Sequence, residues 1–341
     1  MESQSRNNYK TTLLVLIIIL IVLFLSSLVL GRYPLSLSEI GRLIVSRIME
    51  TEQTWPDSAE AIFFNARLPR IGLAVLVGAA LSVSGACYQG MFRNPLVSSD
   101  IIGASSGAAF GAALGILLGV SGGLISISAF IFSALAVVLV YMISRILRQN
   151  QVLGLVLAGI MIGSIFNAGT SFLKLIADPN DQLPQITFWL MGSLNGKSME
   201  ELLYAAFFIL VGLVPLMSLR WKMNLLTMDE KEAQSMGVAV GPLRLIVIVC
   251  ATLLTATSIA VSGMIGWISL VIPHFSRLLV GSDFRRLLPT SLLMGASFLL
   301  IVDNISRLAY TAEIPLGILT SLVGAPFYLY LLLSRRTRMN I

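Results

Sequence analysis

The sequence predicts an all-α integral membrane protein with ten transmembrane helices, and three observations predict it. The first is composition. Of 341 residues, 56% are hydrophobic and 12% charged, with a mean hydropathy of +0.89, whereas soluble domains carry about 25% charged residues. That balance excludes a water-soluble domain of this length, and with it disorder, collagen and coiled coil, which need high charge or strict periods. The second is the set of long uncharged runs. The third is the distribution of lysine and arginine about them.

A span needs roughly 20 mostly apolar residues to cross a core about 30 Å thick. In chain order, the runs free of Asp, Glu, Lys and Arg are 11–31, 71–92, 101–144, 149–173, 202–219, 245–276, 287–302 and 314–334. The first follows Arg6 and Lys10 as a signal peptide would. At 21 residues without an Ala-x-Ala site, it reads instead as a retained first helix. Run 101–144 is 44 residues long and broken near Ser121-Gly122-Gly123, so it holds two spans. Run 245–276 is interrupted at Ser262-Gly263-Met264, which leaves nine or ten crossings open.

The positive-inside rule chooses. With ten spans and both termini inside, 15 of the 23 basic residues face the cytoplasm and 8 face out, whereas nine spans give 10 and 13. The net charge of +6 thus belongs to membrane orientation, and no nucleic-acid partner is expected. Short spans imply tilted or broken helices. Segments 32–70 and 174–201 then lie outside and 220–244 inside. The semi-apolar stretch Gln182–Gly196 predicts a short interfacial helix. No linker or change of composition divides the chain, so residues 1–341 read as a single transmembrane domain.

Catalytic chemistry is not expected. One histidine and two cysteines, Cys87 and Cys250, leave too few soft ligands for a structural zinc site. His274 beside Pro273 has no neighbouring nucleophile. Every Asp and Glu sits at a span end or in a loop, including Asp100, Asp303 and Glu313, which disfavours a proton-driven carrier. Residues 192–198, Gly-Ser-Leu-Asn-Gly-Lys-Ser, imitate a phosphate loop but have three residues between the glycines instead of four.

Three patterns point to packing or partners. Gly103, Gly107, Gly111, Gly115 and Gly119 recur on one helix face, which suits either close helix packing or a smooth seam beside a path. Thr227 and Glu230 have capping-box spacing, and Gly237 suits the left-handed residue that closes a helix. A short polar helix containing Glu232 and Ala233 is therefore expected there, either an ordinary surface helix or one seated in a partner's groove. Arg67 and Arg70 flank Leu68-Pro69 where a helix begins. A helix N-terminus disfavours cations, so the pair suggests an anionic partner, either a membrane-lipid phosphate or a protein carboxylate.

At these residues the chain resembles the permease subunits of bacterial type II ABC importers, which handle ferric siderophores, haem and cobalamin. The matching strings are Arg67-Leu-Pro-Arg70, Asn94-Pro95-Leu96 leading to Gly103, Trp189–Leu194, and Glu232-Ala233 to Gly237. Leu270–His274 with Arg277, Asp303 to Arg307, Glu313-Ile-Pro315 and Gly324-Ala-Pro326 follow in order. The resemblance implies the type II importer permease fold, in the bacterial inner (cytoplasmic) membrane, as a homodimer. It implies two ABC ATPase subunits, which bind ATP and Mg and grip a coupling helix within about 220–244 through Thr227, Glu230, Glu232, Ala233 and Gly237. It implies an extracytoplasmic substrate-binding protein docked on Arg67, Arg70 and Arg307, and a cytoplasmic gate at Asn94 and Leu96. The permease would hold no cofactor, no metal and no catalytic residue. The expected cargo is an iron chelate, a ferric siderophore or haem, with cobalamin or an oxyanion as alternatives. An ion-coupled secondary carrier is the rival outside the class.

Overall fold

The computed structural model describes residues 2–31, 33, 35–46, 55–146, 151–228, 230–237 and 239–339. Its elements are α1 (Glu2–Val29), α2 (Leu37–Ser46), α3 (Asp57–Ala61), α4 (Leu68–Met91), α5 (Ala104–Leu117), α6 (Gly122–Ile146) and α7 (Gln151–Ile176). There follow α8 (Gln182–Met191), α9 (Met199–Leu226), α10 (Glu230–Ser235), α11 (Val240–Ser262), α12 (Ile268–Val280), α13 (Phe284–Leu308) and α14 (Leu316–Met339). A π-helical turn, Ile62–Arg67, leads into α4, and a 3-10 turn, Ser99–Ile102, leads into α5.

Seven of these helices, including α1, α4 and α6, are long and apolar enough to span a bilayer, and α5, α12 and the Leu316–Leu329 part of α14 are shorter apolar helices. Together they are the ten segments expected. The interruption at Ser262–Met264 is real. α11 stops at Ser262, Gly263 takes φ +68°, and α12 starts at Ile268 after Trp267, itself at φ +70°. At 13 residues, α12 is only about 20 Å long, short of the bilayer core, as a divided run requires. A short helix was expected in 182–196, and α8 is that helix.

Burial sorts the helices into layers. Most of α4 and α11 is buried, and they form the centre of the bundle with α13 packed along α4. α1 lies outermost, with Leu14, Val15, Ile18 and Val22 exposed, and α9 exposes Phe207, Leu210 and Val214. Apolar side chains turned outward are what lipid solvates at no cost, since the hydrocarbon is as apolar as they are.

The four-residue glycine pattern divides into two jobs. Gly103 (φ +76°) and Gly119 (φ +67°) flank α5 in left-handed backbone. Gly107 and Gly111 bring α5 onto α6, where an added Cβ would lie 2.4 Å from the Phe132 carbonyl and 2.5 Å from that of Ser128. Ser128 also donates its hydroxyl to the Gly111 carbonyl at 2.7 Å. The pattern is helix packing, the plainer of the two readings.

At the end of the bundle near α10, Asp283 caps α13. Its carboxylate accepts from the Arg285 backbone N–H at 3.0 Å and from the Asn224 side-chain amide at 2.9 Å. Asn224 in turn accepts from Phe284 N–H at 2.9 Å. Burial alone would raise the carboxyl's pKa, but the bonds from Arg285 and Asn224 prevail and hold it below the ordinary aspartate value. A depressed carboxyl stabilises the fold above its unfolded pKa, and that share is lost as pH falls through the folded value. Asp283→Ala should cost about 1 kcal/mol near pH 7. The difference in unfolding temperature from the parent should shrink as the pH is lowered below about 4, the unperturbed aspartate range.

Candidate functional site

The arginines sit at the opposite end of the bundle, gathered from three chain segments. Arg67 closes the π-helical turn, Arg70 lies in the first turn of α4, and Arg307 lies in the last turn of α13. Arg70 Nε donates to Asp303 Oδ1 at 2.8 Å, and its Nη1 donates to both Glu313 oxygens at 2.8 and 2.9 Å. Arg307 pairs with the other Asp303 oxygen at 3.1 Å and donates to Asn304 Oδ1. The Asn304 amide continues to Ser27 on α1 at 2.6 Å.

Arg67 resolves the awkwardness of a cation at a helix start. Its guanidinium turns away from α4 and donates to the Leu28 carbonyl at 2.6 Å and the Tyr33 carbonyl at 2.7 Å. Arg307 donates to the neighbouring Leu30 carbonyl at 3.3 Å. Both cations thus serve the C-terminal end of α1, where backbone carbonyls lack helical donors and the dipole is negative. The arrangement buries them: Arg67, Arg70 and Arg307 are 5, 7 and 7% accessible. The sequence suggested an anionic partner for Arg67 and Arg70. Within the chain the three arginines are buried, and carbonyls and carboxylates of the same chain bond to them.

Asp303 and Glu313 are the residues to which sequence reasoning gave no role here. The Asp303–Arg307 spacing of four was the available signal. Three guanidiniums face two carboxylates, so carboxylates alone leave one positive charge over, and Arg70 Nη2 is buried without a hydrogen bond. Arg67, Arg70, Arg307 and Glu313 line a cavity of about 230 Å³ together with Tyr33, Asn195 and others. The false phosphate loop finds its place here too. Asn195 and Gly196 reach this cavity. Ser198 and Glu201 form a reciprocal capping box at the start of α9, a Ser-x-x-Glu signal that was readable in the sequence.

At the α10 end, a helix does begin at Glu230 and Gly237 does take a left-handed φ of +79°. Two details differ from expectation. Thr227 is the C-cap of α9, and the residue before α10 lies outside the described residues. The Thr227 hydroxyl donates to the Asn224 carbonyl at 2.6 Å and so closes α9, a competing local bond that Thr offers at any helix end. The Glu230 side chain lies outside the described residues. Ala233, expected to enter a partner's groove, is fully buried in the chain's own core, while Glu232, Gln234 and Met236 are exposed. Nearby, Asn94 Oδ1 accepts from Leu96 N–H at 2.9 Å, and the Leu96 side chain is 40% exposed.

A bundle of ten apolar segments, carrying a buried charge cluster at one end and a short half-exposed helix at the other, is that of a multi-pass membrane protein. A model of the FecCD transport family matches residues 19–334, and the chain belongs to that family. It is a permease of an ABC importer and not itself an enzyme, the ATP being handled by a partner ATPase. The chain is 41% identical to the molybdate import system permease MolB of Haemophilus influenzae over 89% of each chain. It is 38% identical to the hemin transport system permease HmuU of Yersinia pestis over 83% of this chain and 86% of that one. A solved structure described as a candidate metal-chelate type ABC transporter, inward-facing, superposes with a TM-score of 0.85 at 41% identity, covering 95% of this chain and 99% of the other.

Proposed function

We propose that this permease, its 341 residues forming one transmembrane domain, works as a homodimer in the bacterial cytoplasmic membrane with both termini inside, and that it carries an iron chelate, a ferric siderophore or haem. Two ATPase subunits holding ATP and Mg grip the α10 segment from the cytoplasm. Glu232, Gln234 and Met236 supply the contact, while Ala233 and Gly237 anchor and close the helix. Thr227 and Glu230 bound it. A substrate-binding protein docks by carboxylates over the cavity lined by Arg67, Arg70 and Arg307, where the surplus positive charge and the free Nη2 of Arg70 favour an anion. Asn94 and Leu96 form the cytoplasmic gate, the Asx turn between them holding Leu96 outward.

The observation that carries the iron-chelate reading is the 38% identity to a hemin permease across four-fifths of the chain. An oxyanion is the second reading, favoured by the 41% identity to a molybdate permease. The test is uptake into liposomes containing the permease with its ATPase and binding protein. ATP-dependent entry of labelled haem or a ferric siderophore, with molybdate excluded, is expected; molybdate entry alone would replace the first reading by the second. In the same vesicles, Ala233→Pro should leave an assembled complex whose ATP hydrolysis no longer drives uptake, because proline removes a backbone donor from the helix that transmits the stroke.

A further inference from the structure

Arg93 occupies a place that physical chemistry reserves for glycine. It follows the last turn of α4, where its N–H donates to the Gly90 carbonyl at 3.2 Å and the next residue's N–H, that of Asn94, donates to the Gln89 carbonyl at 3.1 Å. That pair of bonds is the Schellman closure, and its left-handed residue is usually glycine. Arg93 adopts it with φ +51°, a conformation that a side chain makes costly. The side chain has an occupation to match. Its Nε donates to the Leu226 carbonyl at 3.3 Å and its Nη2 to the Met228 carbonyl. These acceptors are at the carbonyl end of α9, which attracts a cation, and they stand just ahead of α10.

We infer that Arg93 is the positioning residue that transmits movement of the coupling segment to the gate loop. The inference rests on the proposed roles of α10 and of Asn94 and Leu96. One end of the strut is the α9–α10 junction. The other is a closed helix cap, continuous with the Asx turn that holds Leu96. A rigid cap on one side and two carbonyl contacts on the other give the link few internal degrees of freedom, so displacement of the junction moves residues 94–96 with it.

The informative variant is Arg93→Gly, which suits the left-handed backbone and removes the side chain with its guanidinium; Arg93→Lys restores one cationic donor. In the complete reconstituted importer, Arg93→Gly should hydrolyse ATP at close to the parental rate and lower cargo moved per ATP roughly tenfold, in the range of couplings carried by such contacts. Arg93→Lys should recover part of the loss. Spin labels at Leu96→Cys or Gln234→Cys, with the native Cys87 and Cys250 buried, report the distances across the dimer axis. On adding ATP, the Gln234 pair should move in both proteins and the Leu96 pair only in the parent. A Leu96 response in Arg93→Gly equal to the parental one overturns the inference while leaving the permease assignment intact. A parent in which neither pair responds to ATP overturns both.

Discussion

Asp303→Ala should destabilise the permease by about 3–5 kcal/mol, the usual cost of removing one partner from a buried ion-pair group. Asp303 is fully buried and pairs with Arg70 at 2.8 Å and Arg307 at 3.1 Å. Its removal takes one carboxylate partner from each of two guanidiniums that cannot lose their charge. Arg70 would keep Glu313, whereas Arg307 would lose the carboxylate it pairs with. The expected result is early aggregation of the detergent-extracted protein on heating. The triple substitution Asp303→Leu, Arg70→Met, Arg307→Met should be milder than Asp303→Ala alone, because the buried charges are removed together and only Glu313, whose side chain is 23% accessible, loses its partner. An Asp303→Ala protein that unfolds at the parental temperature would mean that water solvates the cluster and the ion pairs contribute little.

Gly295→Leu should have the other large effect. Gly295 on α13 and Gly78 on α4 face each other so closely that a Cβ on either would lie 2.3 Å from the carbonyl oxygen of the other. The obstacle is backbone on both sides, so no rotamer change relieves it, and the two helices must part. Even one extra carbon in a close-packed interior costs about 1–3 kcal/mol, and the leucine adds three more. Loss of a monodisperse extract is expected for Gly295→Leu, with Gly295→Ala intermediate. Gly241→Ala is the control: nothing lies within 4 Å of its added Cβ, and it should retain full stability. Equal behaviour of Gly295→Leu and that control would refute the close approach of α4 and α13.

The ten segments were legible because each follows from a local rule. An uncharged run of sufficient length has to be a helix in lipid, where every backbone polar group must be satisfied within the segment. The break at Ser262–Met264 needed one rule more, the count of basic residues on each side. The helix in 182–196 and the short helix closed by Gly237 were legible for the same reason: semi-apolar composition, capping spacing and a closing glycine act over a few residues. The charge cluster was only half legible. Arg67 and Arg70 could be seen to sit badly at a helix start, but their partners lie far away in sequence. The Leu28 and Tyr33 carbonyls are 39 and 34 residues from Arg67, and Asp303 is 233 from Arg70. Carbonyl acceptors have no residue signature at all, so no motif could announce them.

Ala233 makes the same distinction on a smaller scale. Its sequence shows a small residue in a polar helix, which is compatible with a partner's groove or with the chain's own core. Only the packing of α9, α10 and α11 decides that the methyl faces inward. By itself the sequence determined that this protein crosses the membrane about ten times, where the runs break and which family's motifs it carries, since hydropathy, charge asymmetry and motif order are properties of the chain read in order. Tertiary structure alone decided that the three arginines are buried, that they hold the end of α1 together with Asp303 and Glu313, and that Arg93 bridges α4 to α9. Those are contacts between residues scores to hundreds of positions apart. Their energy depends on distance in space, which a linear sequence does not contain.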